Sequence, residues 1–131
     1  MARWLVKTEP DSYAFADLCR DGGTEWDGVR NHAAARHLRA MAVGDPVLVY
    51  HSGAAKAAVG VARVCRVAQP DGDEGWVSVA LKPDGPLPAP VTLAMMKADP
   101  RLAGMAMLRQ SRLSVSPVTD AEWAVIVELA G

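Results

Sequence analysis

Apolar positions run through this chain in short blocks, each closed by glycine, proline or a polar cluster. Residues 3–7 read as a first strand that stops near Pro10. Asp11 or Ser12 can cap a helix running to about Arg20, with Tyr13, Phe15 and Leu18 as its apolar positions. A glycine-rich loop around Trp26 follows. Asn31 then caps a second helix to about Met41, whose alanines and Leu38 face inward while Arg36, His37 and Arg39 stay in water. A turn at 43–46 leads into a strand at 47–51. A longer alternating strand is expected at 59–68, an acidic turn at 70–75, and a strand at 76–81 with Trp76, Ser78 and Ala80 opposite Val77, Val79 and Leu81. Four of the nine prolines fall within 83–90, which predicts an extended connector that breaks the sheet. Thr92 caps a short helix to Ala98, and Asp99-Pro100 starts another helical turn ending near Gly104. The last strand is expected at 111–115. Thr119-Asp120-Ala121-Glu122 is a capping box before an apolar run ended by Gly131. Short strands interleaved with short helices predict an α+β fold, a small mixed β-barrel with flanking helices. The order does not repeat β-α-β, so a doubly wound sheet is not expected.

One residue resists this scheme. Trp26 sits in a run with three glycines and no apolar period, whereas core tryptophans normally belong to a helical or strand repeat. A pliant polar loop is a common way to present a flat aromatic face to a ligand. The competing reading is that Trp26 folds back to plug the end of the core.

Composition narrows the classes. A chain of 131 residues, half of them hydrophobic, makes one domain, residues 1–131, with a core that needs neither disulfide nor metal. Fourteen basic and fifteen acidic residues leave a net charge of −1. Non-specific duplex binding, which depends on a basic excess, is therefore not expected. Any nucleic-acid contact should be local, beside a pocket. Cys19 and Cys65 lack metal-ligand spacing and read as free thiols of a reducing compartment. No run reaches the ~18 apolar residues of a membrane span. A soluble protein of the cytosol is expected, or of the nucleus in a eukaryote, with no cofactor and no membrane partner. Oligomeric state is not legible.

Four polar clusters fall where strands or helices end: Lys7-Thr8-Glu9, the Trp26–Asn31 run, Tyr50-His51-Ser52 and Arg109-Gln110-Ser111-Arg112. A pocket that reads a planar heterocycle needs a ring to stack on and donors and acceptors in the ligand plane. Asn and Gln offer both, hydroxyls adapt, and Lys and Arg only donate. Each cluster also has a plain reading: Lys7 and Glu9 as a surface pair, Asn31 as a helix cap, Tyr50 as core, His51 as a strand end, Arg109 and Arg112 as a solvated face. A barrel mouth would gather all four.

The strings W-L-V-K-T-E-P-D-S-Y at 4–13, W-D-G-V-R-N at 26–31, V-G-D-x-V-x-x-Y-H-S at 43–52 and R-Q-S-R-L-S-V-x-P-V at 109–118 closely resemble the EVE domain, a PUA-like family. The resemblance spans Trp4 to about Leu129. It implies a compact PUA-like barrel with a pocket for a single nucleobase, related to the YTH readers of methylated adenine. The implied partner is a modified base, cytosine or adenine, in single-stranded or base-flipped DNA or RNA. By motif, Trp26 would be the stacking wall, and Asn31, Ser52, Gln110 and Ser111 would read base edges. Lys7, Thr8, His51, Arg30 and Arg109 would line the mouth, with Thr8 within reach of the base and the basic groups meeting phosphate. His32 stands where the family usually has an aromatic.

This reading makes the chain a binding module with no catalytic residue. An alternative is an ASCH-like hydrolase or nuclease acting on RNA or modified nucleosides, with Lys7, Thr8 and Glu9 supplying nucleophile and base. Against it, successive strand residues alternate faces, which separates Thr8 from its neighbours. A protein-interaction module with a vestigial pocket is the third possibility.

Overall fold

The first strand, β1 (Arg3–Thr8), carries Trp4, Leu5 and Val6 in a row, all buried. Successive strand side chains point to opposite faces, so such a run is stable only where both faces are covered. Both are. Trp4 and Val6 enter one core with Val47 and Val49, while Leu5 enters a second core with Leu48 and Tyr50. The sheet between these cores sets the architecture.

The computed structural model describes residues 1–131. After β1 come α1 (Phe15–Asp21), β2 (Thr24–Trp26), α2 (His32–Ala40), β3 (Pro46–His51), β4 (Ala57–Pro70) and β5 (Val77–Thr92). There follow α3 (Leu93–Ala98), a 3-10 turn at Pro100–Leu102, α4 (Ala106–Arg109), β6 (Val115–Val118) and α5 (Asp120–Leu129). The six strands form one mixed sheet in the order β2-β5-β4-β3-β1-β6. Only β1 and β3 pair in parallel. The sheet curls so far that β2, at one end of this order, and β1, near the other, line the same cavity. Helix α2 spans the curl, packing on β6 as well as β5. The inner core lies within the curl beneath α1 and α2. The outer core includes Met96, Met107 and Ile126 from α3, α4 and α5.

Local chemistry explains several joints. The buried Asp45 carboxylate accepts from Trp4 Nε1 at 3.0 Å and from the Ala42 amide at 2.9 Å, tying the turn before β3 to β1. Thr119 and Glu122 cap α5 reciprocally, as expected from their spacing. Gly60 of β4 lies beneath Phe15: a Cβ there would stand 2.4 Å from the ring, so only glycine allows α1 to seat. Cys19 and Cys65 are free and exposed.

The structure corrects the expected elements in four places. Trp26 ends a strand and is not held by a flexible loop, since Thr24–Trp26 pairs antiparallel with Leu81–Val79 of β5. Residues 83–90 do not break the sheet. They continue β5 against β4, with Pro83 opposite Ala62 and Pro86 opposite Gly60. Because β2 covers only Val79–Leu81, the rest of β5 has an open edge, where proline's missing N–H removes no ladder bond. The last strand is Val115–Val118, starting four residues later than expected, and helix α1 starts at Phe15, after a turn at 10–12.

Candidate functional site

Trp26 and Val29 are both buried in the inner core. Between them Asp27 and Gly28 arch outward, Gly28 with φ +75°, a left-handed value that suits glycine. Asp71, at the tip of the β4–β5 hairpin, latches the arch by accepting from the Gly28 amide at 3.0 Å and from Arg30 Nη1 at 2.9 Å. The Arg30 side chain and the Gly28 amide hold the Asp71 carboxyl below its ordinary pKa. Arg30 stands 5.7 Å from the Trp76 ring centroid, and His32 stacks on that ring at 4.9 Å. His32 is thus spent on Trp76 outside the cavity.

Under the arch is a cavity of about 460 Å³. Lys7, Thr8, Tyr13, Trp26, Arg30 and Ser114 contribute to its walls, with Thr24, Glu25, Asp27, Gly28 and Val29. Trp26 is only 9% exposed, so it both plugs the core and faces the cavity. The two readings of this residue are two sides of one indole. Tyr13 meets it edge-on, centroids 6.3 Å apart at 78°. The Tyr13 hydroxyl donates to Asp21 at 2.9 Å. Thr8 Oγ1 donates to the Tyr13 carbonyl at 2.7 Å, leaving its lone pairs as acceptors. Glu25 is held by Arg66 and by Ser78 Oγ, which donates at 2.8 Å.

The other expected site residues surround this cavity without lining it. Helix α4 ends at Arg109, and a turn closes with the Leu113 amide donating to Gln110 O at 3.0 Å. Buried Leu113 anchors this turn, and Arg109, Gln110, Ser111 and Arg112 are exposed. With Asn31 they border a second depression of about 340 Å³. The Asn31 side-chain oxygen accepts from the Ala34 amide at 2.9 Å, as a helix cap does, which leaves its NH2 free. Ser52 borders a third depression, of about 210 Å³, floored in part by Tyr50 and Met107. Lys7 belongs to the first and third, Ser111 to the second and third, and Lys7 Nζ donates to Ser111 O at 2.8 Å. Burial pulls the Lys7 pKa down. His51 lines none of them. Its Nε2 accepts from the Phe15 amide at 3.0 Å, and burial lowers its pKa, both favouring the neutral ring.

Sequence reasoning placed Trp26, Lys7, Thr8 and Arg30 around one cavity and missed Tyr13, Ser114 and Asp71. Tyr13 resembled a helix core position, and Asp71 lies 43 residues from its Gly28 partner. No local pattern marks such a pairing.

The sequence profile of the EVE domain matches residues 2–129. The chain belongs to the EVE domain family. A solution structure from Rhodopseudomonas palustris, 46% identical, superposes with a TM-score of 0.95 over 100% of this chain and 94% of that one. Human thymocyte nuclear protein 1 has been crystallised in complex with 5-methylcytosine-containing DNA. It is 26% identical with a TM-score of 0.93, covering 99% of this chain and 98% of that chain. By sequence, this chain matches an uncharacterised Schizosaccharomyces pombe protein at 32% identity, over 87% of this chain and 57% of the relative. The full human protein matches over 98% of this chain and 73% of its own length. The chain thus spans between about half and three quarters of these relatives. The α+β mixed sheet with flanking helices is the PUA-like architecture of the human EVE domain structures.

Proposed function

We propose that this EVE domain is a non-catalytic reader that takes one modified nucleobase, cytosine or adenine, from single-stranded or base-flipped DNA or RNA into the Trp26 cavity. The observation that carries this is the aromatic-walled recess itself, in a chain whose human relative is crystallised with DNA bearing 5-methylcytosine. Its volume falls in the ~300–1,000 Å³ range of small-ligand pockets. Trp26 supplies the face against which the base packs, and stacking on an aromatic is worth about 1–3 kcal/mol. Thr8, Ser114 and Asp27 place acceptors where a base edge would lie, and Lys7 and Arg30 place donors. A recess between two strand ends and the 27–30 arch admits no base still stacked in a duplex, so an unpaired base binds with less cost. The same geometry gives the hydrolase alternative no support, because the Thr8 hydroxyl donates to a carbonyl and has no base as partner.

The test is a panel of short single-stranded DNA and RNA oligonucleotides, each with one modified base, titrated by tryptophan fluorescence. A methyl group filling an apolar gap is worth about 0.8 kcal/mol, so the preferred modification should bind about fourfold tighter than its unmodified parent. Equal affinity across the panel, or turnover of any member, would overturn the proposal.

A further inference from the structure

The charge around the cavity is distributed unevenly. No Asp or Glu borders the depression at the Arg109 turn, the one beside Ser52, or a fourth one next to it that shares Lys56 and Lys97. Six of the fourteen basic side chains are held in ion pairs elsewhere: Arg3, Arg20, Arg30, Arg63, Arg66 and Arg101. Of the remaining eight, five border these depressions: Lys7, Lys56, Lys97, Arg109 and Arg112. A protein of net charge −1 thus gathers five of its eight cations without an ion pair on one crescent beside the Trp26 cavity. Phosphate contacts are made by such cations, and they need no overall basic excess when the patch is local.

Lys56 adds a second observation. It is the only non-glycine residue with a positive φ, +47°. That left-handed backbone disfavours any residue with a Cβ and suits glycine, yet the position holds an exposed lysine. Its carbonyl accepts from the Leu93 amide at 2.8 Å, fixing the turn before β4 against the start of α3, the helix that carries Lys97.

We propose that this carboxylate-free crescent, from Arg109 and Arg112 across Lys7 to Lys56 and Lys97, carries the sugar–phosphate backbone of the strand whose base enters the Trp26 cavity. The inference rests on the base-reading function above and adds the path of the strand. Lys7 stands at the junction, shared by the cavity and the crescent.

The test compares a Lys56→Gly/Lys97→Gln protein with an Arg36→Gln/Lys82→Gln control, which makes the same charge change at unpaired cations off the crescent. Each is titrated with a single-stranded oligonucleotide bearing the preferred modified base, over a range of salt, and with the free modified nucleoside. On a single strand each neutralised phosphate adds about 0.7 to the slope of log K against log salt, so the crescent variant should lose about 1.4 of slope. It should bind the oligonucleotide several-fold more weakly, bind the nucleoside as the wild type does, and melt no lower, since glycine suits the Lys56 backbone. Oligonucleotide binding and slope equal to the control's would overturn the crescent and leave the base pocket standing. Weakened oligonucleotide binding without any nucleoside binding would keep the crescent and remove the pocket. No binding of any oligonucleotide at low salt removes both.

Discussion

The Trp26 cavity and the basic crescent beside it are built in opposite ways. The cavity is walled by the ends of β1 and β2 and the arch at 27–30, and most of its side chains are committed to the protein: Trp26 to the core, Thr8 to the Tyr13 carbonyl, Glu25 to Arg66 and Ser78, Arg30 to Asp71. Apart from Lys7 on β1, the crescent takes its cations from turns and helix ends, and none of these has a protein partner. Shape comes from residues that also hold the fold, and charge comes from residues that hold nothing. Substitutions should separate along that line, with cavity changes costing stability as well as binding and crescent changes costing binding alone.

The largest effect is expected from Trp26→Ala. Truncating a buried tryptophan costs about 3–5 kcal/mol, so urea denaturation should show a large loss of stability together with lost nucleobase binding. Full stability in this variant would mean the indole is not part of the core. Next comes Gly60→Ala, which forces a methyl group into the Phe15 ring. Overpacking of this kind costs about 1–3 kcal/mol, read as a lowered melting temperature, although Gly60 lines no part of the cavity.

A smaller effect concerns pH. Burial depresses the His51 pKa below its ordinary 6.5. The folded ring therefore refuses a proton that the unfolded chain accepts as pH falls below 6.5, and stability present above that value declines toward the depressed folded pKa. His37 is depressed too, by burial and by Arg36, and adds to the same decline. Asp71, Asp21 and Glu25, whose pKa values are lowered, lose their contribution only further down, starting near the ordinary carboxylate range. His51→Gln should lower stability by about 0.5–1.5 kcal/mol, the worth of one hydrogen bond, and reduce the difference in urea midpoint between about pH 7 and pH 5. An unchanged pH difference would show that His51 does not contribute. The smallest effect on the fold is expected from Asp71→Ala, which removes the acceptor of the Gly28 and Arg30 bonds. Asp71 is at a hairpin tip, so melting should barely change, while nucleobase affinity weakens because the 27–30 arch loses its latch. Unaltered affinity would make the latch irrelevant to the site.

Elements with local signatures were legible in the chain itself. The capping box at Thr119–Glu122 specifies α5, Asn31 specifies the start of α2, and the alternating run at 59–68 specifies β4. The polar strings at 26–31 and 109–112 stood out because hydrogen-bonding side chains cluster there where strands or helices end. Residues 83–90 show the limit: four prolines argue against a strand, and only the missing partner beyond Leu81 makes a proline-rich edge acceptable. His51 shows it at the site, since a strand-end histidine looks available until the Phe15 amide is found bonded to it.

Residue spacing by itself determined α2, α3, α5, β3 and β4, because periodicity and caps act over a few neighbouring residues, while β2 and residues 83–90 escaped it. Tertiary structure alone decided that β2 meets β1 across a cavity, that Asp71 holds an arch 43 residues away, and that five cations without an ion pair lie on one crescent. Curling the sheet brings these groups together. That curl is the joint result of two cores packed on its faces, which no single stretch of sequence encodes.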